Sequence, residues 1–264
     1  MRLPSLLSTA NAYPPPDGYV RLTVNGRSAV ACGWAAAAIR DLLSERTLHD
    51  WAAAQTDHEP MHGRGINYGV MLPAGSNPGA STPVVVRRNR HGGLLGSLTG
   101  EHFRAPTRAP LELANSLRLI AAGVNTPEVI AYALYPAFMN LVRCDVVTRR
   151  LPAGGDFPEM WLKADSTGRE AMLTGVATLL KNLVKAGAWH ADLNLKNIYI
   201  VAHGPDIVPY VLDVDRVSFP GGKDIAARNF NRLARSARKW RTRWGLDFAE
   251  ETLERLATLT LEMN

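Results

Sequence analysis

The feature that most constrains this chain is the segment "RRLPAGGDFPE", Arg149 to Glu159. It gathers Pro152, Gly154, Gly155 and Pro158, and such clusters punctuate a chain because proline fixes φ and glycine frees it. The segment reads as a hinge or linker. Strand-type segments dominate before it, and helical periodicity dominates after it. That order implies an α+β chain in two lobes. The first lobe is expected over residues 1–150, with an N-terminal extension, and the second over residues 151–264.

On the first side, "VRLTV", Asn25-Gly26 and "RSAVAC" predict a hairpin, because that dipeptide tolerates the left-handed turn between two strands. Trp34 to Gln55 predicts one or two helices, with Thr47 as a cap between them. "HGRGINYGVMLP" reads as a glycine-rich turn feeding a strand, and "TPVVVRRN" as a β-branched strand. "TRAPLELANSLRLIAAGV" is helical and ends at Gly123. "TPEVIAYALYPAFMNLVRCDVVTRRL" predicts two or three strands. On the second side, "GREAMLTGVATLLKNLVKAG" predicts an amphipathic helix ending at Gly187. Helices are also expected at about Ile225–Trp244 and Asp247–Leu261.

The 264 residues are 46% hydrophobic and 20% charged, enough to fold around a core. The formal charge of +6 favours anionic partners: phosphorylated small molecules, anionic lipid or nucleic acid. Only Cys32 and Cys144 occur, which excludes a disulfide scaffold. Both are expected to be reduced and partly buried, in a cytoplasmic compartment. The apolar start, Leu3 to Leu7, is broken by Pro4 and is shorter than the ~7–15 residues of a signal peptide's core. No window approaches the ~20 apolar residues of a membrane span. A soluble protein is expected, or one resting on a membrane surface.

The chemistry lies in "WHADLNLKNIYI", Trp189 to Ile200, and "VLDVDRVSF", Val211 to Phe219. Phosphoryl transfer from ATP needs positioning, divalent metal and a carboxylate that accepts the attacking hydroxyl's proton. Asp192 suits the last role. Asn197 and Asp213 offer the hard oxygens that Mg²⁺ prefers. His190 would brace the loop through backbone hydrogen bonds. A capped loop whose polar groups only satisfy the backbone is the bland alternative.

A kinase site also needs a glycine-rich cover over the phosphates, a cation on a strand and a helix carboxylate to hold that cation. Gly63 and Gly65 are the candidates for the cover. Strand alternation puts Val85 and Arg87 on one face and Val86 and Arg88 on the other, and Arg87 is the chosen cation. Arg stands where Lys is familiar, and it can hold phosphate bidentately. Glu112 is its expected partner. The order of these parts matches a protein-kinase-like fold: an N-lobe of antiparallel sheet plus helix and a mainly helical C-lobe.

Several segments together resemble the lipopolysaccharide kinase family of protein-kinase-like enzymes, above all its members that phosphorylate 3-deoxy-D-manno-octulosonic acid (Kdo). They are "HADLNLKN", "VLDVDR", "HGRG", "VVVRRNRHGGLLG", "TRAPLE", "LIAAGVNTPEVIAY" and "NFNRLARSARKW", spanning about residues 61–240. The resemblance implies an ATP- and Mg²⁺-dependent kinase acting on a hydroxyl of Kdo in a Kdo-lipid A precursor, at the cytoplasmic face of the bacterial inner membrane. By position it implies that Asp192 is the base, Asn197 and Asp213 the metal ligands, and Arg87 with Glu112 the phosphate anchor. Asp213-Val214-Asp215 departs from the family's Asp-Phe-Asp, and the first 60 residues match weakly.

Residues 228–243 hold Arg228, Arg232, Arg235, Arg238, Lys239, Arg241 and Arg243. Arg228, Arg232 and Arg235 share a helix face, which Arg238 and Lys239 continue. The face is either merely solvated or binds lipid A phosphates, Kdo carboxylates or an anionic inner-membrane surface. Trp240 and Trp244 belong at that interface or in the core. Arg90 and His91 are further candidates for meeting an anionic acceptor. Rival readings are a small-molecule phosphotransferase of the aminoglycoside or choline type, a protein kinase, a pseudokinase, and a non-catalytic basic protein binding nucleic acid. No nucleic-acid recognition motif is present, so nucleic acid is not the expected partner.

Overall fold

The structure, a computed structural model, describes residues 14–62, 65–74, 80–90, 100–203, 206–222 and 224–262. Two compact units divide the chain. The first comprises the described residues of Met1–Ala114 and Glu128–Arg150, and the second those of Asn115–Pro127 and Leu151–Asn264.

The first unit is an antiparallel sheet. Its strands are β1 (Tyr19–Val24), β2 (Arg27–Cys32), β3 (Glu59–His62), β4 (Ile66–Pro73), β5 (Ser81–Arg88), β6 (Val129–Pro136) and β7 (Val142–Arg149). They lie in the order β1-β2-β6-β7-β5-β4-β3. Asn25 (φ 48°) and Gly26 (φ 75°) form the left-handed turn between β1 and β2. "TPEV…RRL" makes two strands, and β6 is buried at every position but its last. More than one helix belongs here: α1 (Ala36–Glu45), α2 (Leu48–Ala53) and the first turns of α3 (Ala109–Ala121).

Six residues are too few for a self-sustaining helix, so α2 takes its caps from afar. Thr47 Oγ1 accepts from Asp50 N at 3.1 Å, as its cap position predicts. Leu48 N donates to Tyr135 Oη and His49 N to Asp145 Oδ2, each at 2.9 Å. The other Asp145 oxygen accepts from Arg88 Nε at 3.0 Å. Burial opposes the Arg88 charge, but Asp145, Asp50 and Glu101 around it hold the guanidinium protonated.

The second unit carries the rest of α3, then α4 (Phe157–Lys163), α5 (Ser166–Lys185), α6 (Ile225–Trp244) and α7 (Glu250–Glu262). Asp156 caps α4 by accepting from Glu159 N, and Asp165 caps α5 by accepting from Gly168 N. In its core Phe157 stacks on Trp161 and both meet Phe248 at an angle, packed with Leu173, Val176 and Leu180. Five short strands accompany the helices: β8 (Gly154–Asp156), β9 (Trp189–His190), β10 (Ile198–His203), β11 (Asp206–Val211) and β12 (Val217–Ser218). They form the sheets β11-β10-β8 and β12-β9.

The segment read as a hinge is therefore largely structured. Gly154 pairs with Val201, and a Cβ there would collide with the Ile200 carbonyl, so glycine serves close backbone approach rather than looseness. The last helix starts at Glu250 rather than Asp247, because Asp247 instead accepts from Arg169 and offers its carbonyl to Trp161 Nε1. Among the described residues, no helix is long and apolar enough to cross a membrane. Cys32 and Cys144 are both free and buried.

Candidate active site

The candidate base and metal ligands lie in the second unit, on the loop between β9 and β10 and the turn after β11. His190 is fully buried. Asp192 N donates to His190 Nδ1 at 3.1 Å, so Nδ1 must accept. The ring proton then sits on Nε2, which donates to Leu212 O at 2.9 Å. Burial lowers the imidazole pKa, while the Leu212 carbonyl and the charges of Asp213, Asp192 and Asp215 work the other way. A neutral ring thus spans the two segments that carry Asp192 and Asp213.

Asn194 closes the loop. Its Oδ1 accepts from Lys196 N and Asn197 N at 3.0 and 3.2 Å, and its Nδ2 donates to Asp192 O at 3.0 Å. Asn197 is buried, and its Nδ2 donates to Asp192 O at 2.9 Å. The amide's oxygen is therefore the end turned away from the loop backbone. Leu212 N donates to Asn197 O at 2.8 Å, so both His190 and Asn197 are tied to the residue before Asp213. Asp213 has left-handed backbone (φ 54°, ψ 44°) and an exposed side chain. Asn115 Nδ2 braces the turn by donating to Val214 O and Val217 O, each at 2.8 Å. Asn197 Oδ1 and the Asp213 carboxylate are the hard-oxygen donors this arrangement offers a divalent cation. Among the described residues no three His, Cys, Asp or Glu side chains gather as a cage.

One face of α6 holds the loop from below. Asn229 Oδ1 accepts from His190 N at 3.1 Å, and its Nδ2 donates to Ala188 O at 2.9 Å. Ser236 Oγ accepts from Leu195 N at 3.1 Å. Between them, Arg232 donates from Nε to Ala191 O at 3.1 Å and from Nη2 to Asp192 Oδ1 at 2.5 Å. Sequence reasoning missed Asn115, Asn229 and Ser236, and took Arg232 only as part of a basic run. The available signal was polar residues on the apolar face of an amphipathic helix: Asn229 and Ser236 lie seven apart beside Leu233 and Ala237, which are also buried.

The basic run is not one continuous face. Arg238 and Arg241 both bind Glu250 on α7, and the hydrogen bond from Arg238 leads in pulling the Glu250 pKa down to about 2. Arg228 lies over the Trp189 ring, 3.7 Å from its centre. Trp240 packs against the core and meets the exposed Trp244 in a tilted ring contact.

The phosphate candidates lie in the first unit. Arg87 and Glu112 form an ion pair, with Glu112 buried. Gly65 lies against the Arg90 side chain, which pairs with Glu101 at 2.7 Å. Gly63 and His91 lie outside the described residues.

Comparison with known proteins gives one consistent result. The sequence profile of the lipopolysaccharide kinase (Kdo/WaaP) family matches residues 80–258. A 3-deoxy-D-manno-octulosonic acid kinase of Haemophilus influenzae is 26% identical over 171 residues, covering 63% of this chain and 70% of the relative. One from Vibrio parahaemolyticus is 28% identical over 181 residues, covering 67% and 71%. Among solved structures, WaaP in complex with acyl carrier protein superposes with a TM-score of 0.51 at 16% identity, covering 85% of this chain and 86% of that one. That likeness establishes the fold as protein-kinase-like.

Proposed function

The chain belongs to the lipopolysaccharide kinase (Kdo/WaaP) family, and from that premise we propose that it transfers the γ-phosphoryl group of ATP to a hydroxyl of Kdo on a Kdo-lipid A precursor. The family makes it a kinase of lipopolysaccharide core assembly, a phosphotransferase acting on a sugar hydroxyl. The finer statements, of acceptor, metal and place, are the proposal. The observation that carries it is the brace around Asp192: a neutral His190, Asn197 and Arg232 fix one carboxylate-bearing turn beside the turn that bears Asp213.

Phosphoryl transfer asks the protein for position and charge rather than covalent chemistry. Asp192 accepts the proton of the attacking Kdo hydroxyl through its carboxylate, which Arg232 orients. Asn197 and Asp213 would hold Mg²⁺, which would supply positive charge against the nucleotide's phosphates. Arg87, held by Glu112, is the cation assigned to phosphate, which its planar fork suits. Gly63 and Gly65 are the glycines assigned to the cover over the phosphates, where a missing side chain suits close backbone approach to an anion. The basic character of the chain suits an anionic glycolipid at the cytoplasmic face of the inner membrane.

The test is mass spectrometry of a purified Kdo-lipid A precursor after incubation with the protein and Mg-ATP. A product heavier by one phosphate, with the addition on Kdo, is expected. Unmodified lipid beside an active reference kinase would overturn the proposal.

A further inference from the structure

A cavity of 600 Å³ opens next to the loop, lined by Trp189, Ala191, Arg228, Asn231, Arg232 and Arg235. Three of the six are arginines and none is acidic. They recur on α6 at spacings of four and three, and so project on one side. Their partners differ from those further along the helix. Arg238 and Arg241 are matched by Glu250. Among the described residues, Arg228 and Arg235 meet no carboxylate. Arg232 meets only Asp192, and both side chains are about one-third exposed, at 31% and 35%.

Three guanidinium groups around one concavity repel each other, with a single carboxylate to offset them. An incoming anion removes that repulsion, and arginine's donor fork suits the paired oxygens of carboxylate and phosphate. The Arg228 guanidinium carbon lies 3.7 Å from the centre of the Trp189 ring, a contact that restrains the group, so less freedom is lost when it binds. The Asn231 amide adds a neutral donor to the same wall. The cavity shares Arg232 with Asp192 and contains Ala191, the residue before it. An anion seated there would therefore lie next to the Asp192 turn.

We propose that this cavity seats an oxyanion of the acceptor, a carboxylate or a phosphate, and thereby sets the acceptor's hydroxyl against Asp192. The proposal rests on the reading of Asp192 as the base of a kinase. Arg228, Arg232 and Arg235 become acceptor-binding residues, with Arg232 serving both the anion and the base.

Steady-state kinetics with Mg-ATP and Kdo-lipid A precursor test it, on wild type, Arg228→Gln, Arg235→Gln and the double variant. Both side chains are exposed, and thermal melting verifies that the variants fold. Each single variant should raise the acceptor KM by about tenfold, the scale of one charge-assisted hydrogen bond, while the ATP KM stays within about twofold. Two altered acceptors separate the sources: one with the Kdo carboxylate esterified, the other with the lipid A phosphates removed. The seated group is the one whose removal makes wild type and double variant equal in KM. If both altered acceptors preserve the difference, no such oxyanion is seated and the proposal fails. Calorimetric titration of the acceptor without ATP tests the cavity apart from turnover. Equal affinity for wild type and double variant overturns the cavity assignment. Weaker binding by the double variant with no turnover by wild type upholds the cavity and overturns the kinase reading instead.

Discussion

His190 shows how much one buried side chain can decide. It donates to Leu212 and accepts from Asp192, and it manages both only when neutral. Its pKa is lowered, first by burial, so the unfolded chain takes up the proton at a higher pH than the folded one. Stability should therefore rise with pH through the window that ends near the ordinary value of about 6.5, and fall as pH drops below it. Melting curves of wild type and His190→Gln at several pH values check this. The wild type should lose more of its melting temperature on acidification than the variant. Asp213 permits a second prediction. Asp213→Asn removes a charge but keeps an oxygen, so the Mg²⁺ concentration at half-maximal rate should rise about ten- to hundredfold, the scale for disturbed metal sites. An unchanged magnesium titration would remove Asp213 from the metal site.

At the scale of elements, helix α6 acts as the frame of the loop that bears Asp192. Asn229 satisfies one donor and one acceptor of the buried backbone around His190. Asn229→Leu strands both, which should cost about 2–4 kcal/mol in urea unfolding. The Arg88–Asp145 pair frames the first unit in the same way. Asp145→Ala takes from Arg88 its fully buried carboxylate partner, leaving only the more exposed Asp50 and Glu101, and removes a cap from α2, so a loss of about 2–4 kcal/mol is expected by the same method. These contacts also mark where the sequence stopped being legible. The Asn25-Gly26 hairpin, the Thr47 cap and the span of α6 all follow from residues within a few positions of each other. The caps that Tyr135 and Asp145 give α2 come from far along the chain. No local pattern announces them. The glycines of 154–155 looked like a linker because a glycine that admits a neighbouring carbonyl is written the same way as one that loosens a loop. Asn197 and Asp213 stood out in the sequence through their spacing from Asp192. The residues that brace them, Asn115 and Asn229, had only their neighbours' hydrophobicity to betray them.

For the whole molecule, the formal charge of +6 matters less than where it is compensated. Acidic partners occupy Arg88, Arg238 and Arg241, whereas among the described residues Arg228 and Arg235 of α6 meet no carboxylate and line the cavity. The rate constant for capturing an anionic acceptor, kcat/KM, should therefore fall as ionic strength rises, because screening shortens the reach of that patch. A salt-independent kcat/KM would contradict it. The central claim is that Asp192 serves the transfer of a phosphoryl group from ATP to a sugar hydroxyl. Its most direct test follows labelled γ-phosphate from ATP into the Kdo-lipid A precursor with wild type and with Asp192→Asn, a variant that keeps the shape and loses the base. The account predicts label in the lipid with wild type and a rate lower by about 10²–10⁴ in the variant; equal rates in the two proteins would contradict it.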